Sequence, residues 1–217
     1  MIIHETTAIR ITAAGARLNA DLTMPERSKA IIVFAHGSGS GRHSIRNRYV
    51  AEILNGYGFA TLLADLLTEE EEIIDLRTQH LRFDIPMLAD RLVDIAAWTQ
   101  GEPQTRHLKI GLFGASTGAG AALIAVARHP ENIIAVVSRG GRPDLAGDYL
   151  PEVISPVLLI VGEKDTHVLE LNKQALAQLT APARLEIVPN ATHLFEEPGA
   201  LEAAALLAAE WFQAYVT

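Results

Sequence analysis

The segment from residues 109 to 120, KIGLFGASTGAG, constrains the fold of this chain more than any other. It begins as an apolar run typical of a strand, passes through a Gly-x-Ser-x-Gly motif, and continues as small residues typical of a buried helix. In such a strand–turn–helix, Gly114 and Gly118 let the strand and the helix approach closely, while Ser116 is exposed on a strained turn. Ser116 is therefore the candidate nucleophile.

The glycines at 114, 118 and 120 also resemble the cofactor loop of the short-chain dehydrogenases. In that family the loop follows the first strand of the chain, and a Tyr-x-x-x-Lys pair downstream transfers the proton. Here several candidate strands precede the loop, and none of the four tyrosines has a lysine four positions later. A motif counts only in its proper structural context, so the sequence disfavours a dinucleotide cofactor and predicts no cofactor at all.

Composition limits the classes of partner. A net charge of −8 argues against nucleic acid or an anionic membrane as the main partner, because phosphate groups are bound through clustered Lys and Arg. The absence of cysteine excludes disulfides, thiolate metal sites and a Cys nucleophile. The first ten residues lack the apolar segment of a signal peptide, so we expect a cytoplasmic protein that acts on small molecules. The oligomeric state cannot be predicted.

Alternating strand and helix patterns predict one α/β domain over residues 1–217. We expect a doubly wound, mostly parallel sheet of about eight strands with helices on both faces, an N-terminal antiparallel hairpin and no large cap domain. The four acidic residues 69–72, which could be mistaken for a metal site, follow Thr68 and are better explained as a capped helix start. The predicted strands are residues 6–12, 17–24, 30–35, 59–66, the run from residue 109 to the Gly-x-Ser-x-Gly motif, and residues 133–137, 156–161 and 184–188. The main predicted helices are residues 44–56, 84–99, 117–128, 166–179 and 198–215.

In such a sheet, ligands bind outside the carboxyl ends of the strands, where loops distant in sequence meet. Five loops qualify. They carry residues 36–41, which we call the oxyanion loop, together with Asp65, Ser116, Asp165 and His193. The serine, an aspartate and a histidine therefore follow one another along the chain in that order.

This order resembles that of the α/β-hydrolase fold, and nearly the whole chain takes part in the resemblance. The elbow GASTG matches the nucleophile motif, residues 162–168 resemble the acid loop, and residues 190–193 resemble the histidine loop. The resemblance implies that Ser116 attacks an acyl carbon, His193 takes and returns its proton, and Asp165 orients the imidazole. Backbone amides of Thr117 and Ser38 would form the oxyanion hole.

Within that fold, the phrases HGSGSG, SRGGRPDL and ATHLFEEPGAL are similar to those of dienelactone-hydrolase-like proteins. The namesake enzymes of that family have cysteine in the elbow, whereas this chain has Ser116, so a dienelactone substrate does not simply carry over. Relatives of this kind also occur as domains joined to phosphoribosyltransferases.

Other residues offer alternatives for the same roles. His36 follows a strand and could be mistaken for the base, but we expect it to shape the oxyanion loop or contact substrate. His167 lies two residues from Asp165 and is an alternative base. Asp65 is an alternative acid.

Two arginines in residues 138–142 are unexpected in an acidic protein and open onto the same sheet edge. A guanidinium can hold a carboxylate through two parallel hydrogen bonds, so Arg139 or Arg142 could bind an anionic substrate. The alternative is an internal salt bridge, from Arg142 to Asp144 or from Arg139 to Asp65.

The sequence thus predicts a serine hydrolase that cleaves a small ester, thioester or lactone, including carboxylate-bearing ones, without metal or cofactor. A non-catalytic accessory or binding domain of the same fold would retain the strands, and an acyltransferase would retain the same catalytic residues. The sequence does not name the substrate.

Overall fold

An eight-stranded, mostly parallel sheet forms the centre of the structure, a computed structural model that describes residues 4–216. Residues 1–3 and 217, which include the start of the N-terminal segment considered above, lie outside the described part. The strand order is β1-β2-β4-β3-β5-β6-β7-β8, which confirms the predicted doubly wound architecture. The strands are β1 Thr6–Ala13, β2 Ala16–Thr23, β3 Ala30–Ala35, β4 Ala60–Ala64, β5 Lys109–Ala115, β6 Ile133–Arg139, β7 Val157–Gly162 and β8 Ala183–Val188.

The N-terminal pair β1–β2 is the predicted antiparallel hairpin at one edge of the sheet. Its two-residue turn consists of Ala14 and Gly15, which have φ values of 47° and 75°. Positive φ at both central positions is the geometry that matches the twist of paired strands. β2 also pairs antiparallel with β4, and the remaining neighbours are parallel.

Helices cover both faces of the sheet, because side chains of buried strands alternate between two apolar surfaces. The helices are α1 Ile45–Gly56, α2 Glu69–Thr78, α3 Ile85–Gly101, α4 Thr117–Arg128, α5 Thr166–Leu176 and α6 Ala200–Tyr215. One core contains Val33, Leu112 and Val136 and is covered by α3, α4 and α5. The other contains Phe34 and Phe113 and is covered by α1 and α6. No helix within residues 4–216 is long and apolar enough to cross a membrane.

Helix α2 is packed differently from the others, since Asp75 is its only buried residue. Thr68 caps the helix and forms a reciprocal capping box with Glu71, which confirms the predicted helix start. Ile73 and Leu76 are exposed. The helix therefore depends on its cap and on Asp75 more than on an apolar face.

A departure from the prediction that bears on the site lies at the end of β6. The predicted strand stops at residue 137, whereas β6 continues through Ser138 and Arg139, which pair with Leu159 and Ile160 of β7. A 3₁₀ segment, Pro143–Glu152, follows this strand. Arg139 is therefore a strand residue and not part of a loop.

Candidate active site

Ser116 lies at a sharp turn between β5 and α4. Its φ of 50° and ψ of −123° are strained for a residue with a side chain. Glycines make this turn possible: a Cβ on Gly118 would lie 2.2 Å from the carbonyl oxygen of Ala35, and one on Gly114 would lie 2.4 Å from Ala119 Cα. The predicted close approach of strand and helix is confirmed.

The backbone of Ser116 is tied to the segment that follows β6. Its amide donates to the carbonyl oxygen of Arg139 at 3.3 Å, and its own carbonyl accepts from the amides of Ala119 at 3.1 Å and Arg142 at 3.0 Å. The side chain is half-buried. Its hydroxyl has no hydrogen-bond partner in the part of the chain that the structure describes, and is therefore available to a ligand.

His193 and Asp165 are hydrogen-bonded across two loops. The Nδ1 atom of His193 lies 2.6 Å from Asp165 Oδ2. An ionised carboxylate can only accept, so Nδ1 carries the proton and Nε2 of the neutral ring is free to accept another. The carboxylate is largely buried, whereas the imidazole is more exposed.

The loops that carry Asp165 and His193 pack together through their backbones. The amide of Lys164 donates to the carbonyl oxygen of Ala191 at 2.9 Å. A Cβ on Gly162 would lie 2.4 Å from the same oxygen, so the acid loop and the histidine loop are in direct contact. This contact fixes the distance between the carboxylate and the imidazole.

Gly140 brings the histidine loop next to the nucleophile. It follows Arg139, whose carbonyl binds the Ser116 amide. A Cβ on Gly140 would lie 3.2 Å from the His193 carbonyl oxygen and 3.6 Å from His193 Nδ1. The structure thus brings Ser116, Asp165 and His193 to one edge of the sheet.

The oxyanion loop passes directly over the nucleophile, because a Cβ on Gly37 would lie 3.0 Å from Ser116 Cβ. The amide of Ser38, a predicted oxyanion donor, donates to Thr117 Oγ1 at 2.9 Å. The amide of Thr117, the other predicted donor, belongs to the first turn of α4, where amides have no intrahelical acceptor. The sequence did not predict that the Thr117 hydroxyl accepts a hydrogen bond, because the Gly-x-Ser-x-Gly motif allows any residue after the serine.

His36 connects the oxyanion loop to the end of β4. Its Nδ1 lies 3.0 Å from the carbonyl oxygen of Gly37, and its Nε2 accepts from the amide of Leu66 at 2.9 Å. Both ring nitrogens are therefore occupied by backbone groups. Burial lowers the pKa of His36, opposed in smaller measure by the Gly37 hydrogen bond and by Asp65. The ring is neutral and shapes the loop, while a substrate contact stays a prediction.

Acidification should destabilise the protein through His36. Because the pKa of His36 is lowered in the folded state, the unfolded chain binds a proton below about pH 6.5 that the folded chain does not bind. The free energy of unfolding should therefore fall from pH 7.5 to 5, with this residue contributing up to about 1.4 kcal/mol per pH unit.

Urea unfolding at several pH values measures how steeply the free energy of unfolding changes with pH. The slope should become shallower in His36→Gln and should stay unchanged in His107→Gln, which replaces an exposed histidine. An equal slope in His36→Gln and the wild type would contradict the assignment.

The two arginines after Ser138 have different environments. Arg142 donates from Nε and Nη2 to Asp144 at 2.8 and 2.7 Å, which is the predicted salt bridge. Arg139 is buried and donates from Nη2 to Asn47 Oδ1 at 3.3 Å. A substrate-binding role for either guanidinium stays a prediction.

Asp65 and His167, the alternative acid and base, do not take part in the hydrogen bond between Asp165 and His193. Asp65 binds Arg42 through both carboxylate oxygens, one to the backbone amide at 2.7 Å and one to the guanidinium. The alternative pairing of Arg139 with Asp65 is not formed, because Asp65 binds Arg42 and the Arg139 guanidinium donates to Asn47. His167 is exposed in the first turn of α5 and makes no hydrogen bond to Asp165.

A cavity of about 770 Å³ opens beside the oxyanion loop. Thr117, α2 and Arg82 form parts of its wall. The Arg82 guanidinium is fixed by Asp75, with Nε bonded to the carboxylate and Nη2 3.2 Å from the carbonyl oxygen. Among residues 4–216, no three His, Asp or Glu side chains form a group that could hold a metal ion. The cavity reaches Thr117, the residue after the strained serine, but its lining residues do not include Ser116, Asp165 or His193.

Sequence comparisons identify relatives over nearly the whole chain. A profile of the Dienelactone hydrolase family matches residues 18–216. Two strains of Mycobacterium tuberculosis have a protein, provisionally named phosphoribosyl transferase, that is 57% identical over 204 residues. The match covers 94% of this chain and 45% of the relative, so the chain spans less than half the length of these relatives.

Structural comparisons agree with the profile. A dienelactone hydrolase from Anabaena variabilis is 56% identical, with a TM-score of 0.97 over 99% of each chain. Est1E from Butyrivibrio proteoclasticus has a TM-score of 0.81 over 96% of this chain and 98% of its own, and at 18% identity this likeness concerns the fold alone. These findings confirm the α/β-hydrolase fold. With a family profile that matches residues 18–216, the chain belongs to the dienelactone hydrolase family.

Proposed function

We propose that this protein is a serine hydrolase that cleaves small esters, thioesters or lactones through an acyl-enzyme on Ser116. The strongest support is the 2.6 Å hydrogen bond between His193 Nδ1 and Asp165 Oδ2, at the same sheet edge as the strained Ser116. An imidazole oriented by a carboxylate beside a serine with a free hydroxyl matches a general base and its nucleophile. Membership of a family of hydrolases adds to this support.

In the proposed reaction, Ser116 Oγ attacks the carbonyl carbon while its proton passes to His193 Nε2. The bond to the leaving group breaks as His193 returns the proton to the leaving oxygen or sulfur. Water then attacks the acyl-enzyme, and its proton passes through His193 back to Ser116. Asp165 holds the imidazole in the correct tautomer and stabilises the imidazolium.

The oxyanion hole is proposed to consist of the amides of Thr117 and Ser38. The Thr117 amide lies at the N-terminus of α4, where the helix dipole also favours negative charge. The Ser38 amide is bound to Thr117 Oγ1 at 2.9 Å, so it must share its proton between the hydroxyl and the substrate oxygen. The short bond keeps this amide beside the elbow before substrate arrives.

Serine in the elbow has a chemical consequence. A cysteine is partly thiolate at neutral pH, whereas a serine hydroxyl depends on an adjacent base for activation. The proposed hydrolase therefore requires His193 for every turnover. Small neutral and carboxylate-bearing esters and lactones are both proposed as substrates, because the 770 Å³ cavity carries apolar as well as charged side chains.

A fluorophosphonate probe tests the nucleophile directly. We expect one covalent adduct in the native protein, in which Ser116 Oγ replaces fluoride on phosphorus, mapped to the peptide with Ser116 by mass spectrometry. The strained, accessible hydroxyl beside an oriented imidazole is the reason for this selectivity. Ser116→Ala and heat-unfolded wild type are the controls, and neither should be labelled.

The same experiment separates the competing functions. Folded protein that is not labelled would favour a non-catalytic binding domain and would refute the proposal. If labelling occurs, a panel of neutral and carboxylate-bearing esters and lactones identifies the substrate. Product analysis with added alcohol or thiol then distinguishes a hydrolase from an acyltransferase.

A further inference from the structure

The cavity beside the oxyanion loop approaches the nucleophile at one end of its wall, which Gly37, Ser38 and Thr117 form. A Cβ on Gly37 would lie 3.0 Å from Ser116 Cβ, and the Ser38 amide is bound to Thr117 Oγ1 at 2.9 Å. At about 770 Å³, the space has the size of a small-molecule binding site. A group attached to the carbonyl carbon at Ser116 can therefore extend into the cavity.

The cavity and the proposed base lie on opposite sides of the nucleophile. Most residues of the cavity wall follow β3 or β4 along the chain or belong to α2, whereas Asp165 and His193 follow β7 and β8. The sheet order places β5, which precedes Ser116, between these two groups. His193 must lie next to the leaving oxygen or sulfur in order to protonate it. The leaving group therefore belongs on the side of β7 and β8, and the acyl group on the side of the cavity.

Every arginine of the cavity wall already contacts a carboxylate within the part of the chain that the structure describes. The pairs are Arg42 with Asp65, Arg82 with Asp75 and Arg46 with Glu196. Glu69 and Glu72 add two more carboxylates to the wall. Burial raises the pKa of Glu72, and the charge of Asp65 raises it further, partly offset by Arg42. Among residues 4–216, the wall thus has no uncommitted guanidinium for a substrate carboxylate, and its own carboxylates repel one.

Two aliphatic side chains of the cavity wall are exposed to solvent. Ile45, the first residue of α1, is 86% exposed, and Leu76 of α2 is 73% exposed. The other two aliphatic residues of the wall, Leu67 and Leu88, are buried. Covering exposed apolar surface with an apolar group is favourable in water. A concave wall with exposed aliphatic side chains therefore suits an apolar group of the substrate.

We propose that the cavity binds the acyl group of the substrate, and that this group is an uncharged apolar chain of about hexanoyl size that covers Ile45 and Leu76. The inference rests on the proposed hydrolase function and narrows its substrate class. It ranks esters with a neutral apolar acyl chain above acetates and above esters whose acyl chain ends in a carboxylate.

Three p-nitrophenyl esters test the acyl group, because they share a leaving group and differ only in the acyl chain. The kcat/KM of the hexanoate should exceed that of the acetate about ten-fold or more, since each fully buried methylene group is worth about four-fold. The adipate monoester carries a carboxylate in place of the terminal methyl group of the hexanoate, and its kcat/KM should be about ten-fold or more below that of the hexanoate. Equal values for the acetate and the hexanoate, or for the hexanoate and the adipate monoester, would overturn the inference.

Two substitutions locate the acyl chain on the wall. Leu76→Ser and Ile45→Ser should each lower the hexanoate-to-acetate ratio of kcat/KM about three-fold or more, because each removes apolar surface that the chain covers. Ile73→Ser is the matched control, since Ile73 lies on the same helix as Leu76, is 61% exposed and is not part of the cavity wall. Its ratio should equal that of the wild type. A ratio that stays unchanged in Leu76→Ser and Ile45→Ser, or that falls as far in Ile73→Ser, would contradict the proposal.

The length of the alcohol distinguishes the leaving group from the acyl group. The ratio of kcat/KM between hexyl acetate and methyl acetate should respond to Leu76→Ser much less than the hexanoate-to-acetate ratio does, because the leaving group lies on the side of His193. A larger response of the alcohol ratio would place the leaving group in the cavity and would overturn the assignment of the acyl group.

Failure of the proposed function gives a different result from failure of this inference. If the wild type hydrolyses none of these esters and the fluorophosphonate does not label Ser116, the proposed function fails. Calorimetric titration with N-methylhexanamide and N-methylacetamide still tests the cavity, since binding requires no reaction. The hexanamide should bind about ten-fold or more tightly than the acetamide, and Leu76→Ser but not Ile73→Ser should weaken it. Equal affinity for the two amides would overturn the inference whether or not the protein is a hydrolase.

Discussion

Replacing Ser116 by alanine should lower kcat for the best ester substrate by about 10⁴-fold or more, and His193→Ala should lower it by a similar factor. The reason is that nucleophile and base act as a unit, so that loss of either leaves only binding and the oxyanion amides. Ser116→Ala combined with His193→Ala should therefore cost scarcely more than either alone. Asp165→Asn should cost somewhat less, because the 2.6 Å contact orients the base but does not itself transfer a proton.

The control for these substitutions is His167→Ala. His167 is exposed on α5 and makes no hydrogen bond to Asp165, so its removal should leave kcat near that of the wild type. Steady-state kinetics with circular dichroism to verify folding provide the measurement. The assignment of the acid fails if Asp165→Asn keeps nearly full turnover while a folded Asp65→Asn variant loses it.

Gly118→Ala should destabilise the fold by at least about 3 kcal/mol, which is large for a single methyl group. The added Cβ would lie 2.2 Å from the carbonyl oxygen of Ala35 and 2.6 Å from that of His36. Both atoms belong to the backbone at the end of β3, so no side chain can rotate to relieve the contact. The helix would have to move away from the strand, and Ser116 would move with it.

Gly56→Ala is the matched control for this substitution. Gly56 ends α1, and a Cβ there would meet nothing within 4 Å. Alanine has the higher helix propensity, so the free energy of unfolding should stay equal or rise by up to about 1 kcal/mol. Chemical unfolding of both variants measures the difference. Equal stability of the two variants would show that strand and helix do not approach as closely as described.

The central strands could be predicted from the sequence because burial on both faces leaves a continuous apolar run. The predicted strand over residues 30–35 agrees with β3 at both ends. The prediction for β6 stops two residues early, since Ser138 and Arg139 are polar. Their pairing with β5 on one side and β7 on the other keeps them extended, and pairing between strands is not encoded in the local pattern.

The sequence predicts those residues of the candidate site that follow the end of a strand. Ser116, Asp165 and His193 each follow a predicted strand, and parallel strands end at the same edge. The hydrogen bond from the Ser38 amide to Thr117 could not be predicted, because it joins residues 79 positions apart through one hydroxyl. The pairing of Asp65 with Arg42 in place of Arg139 depends equally on tertiary packing.

Helix α2, which forms part of the cavity wall, and the proposed reacting residues belong to separate parts of the chain. Helix α2 contributes Asp75 alone to the interior, whereas Ser116, Asp165 and His193 follow strands β5, β7 and β8 of the sheet. Changes in the exposed residues of α2 therefore alter the ligand space while the core and the elbow keep their geometry. This division lets a lineage diversify its substrates by drift in one surface segment, and it makes residues 69–78 the natural target for a randomised library in enzyme redesign.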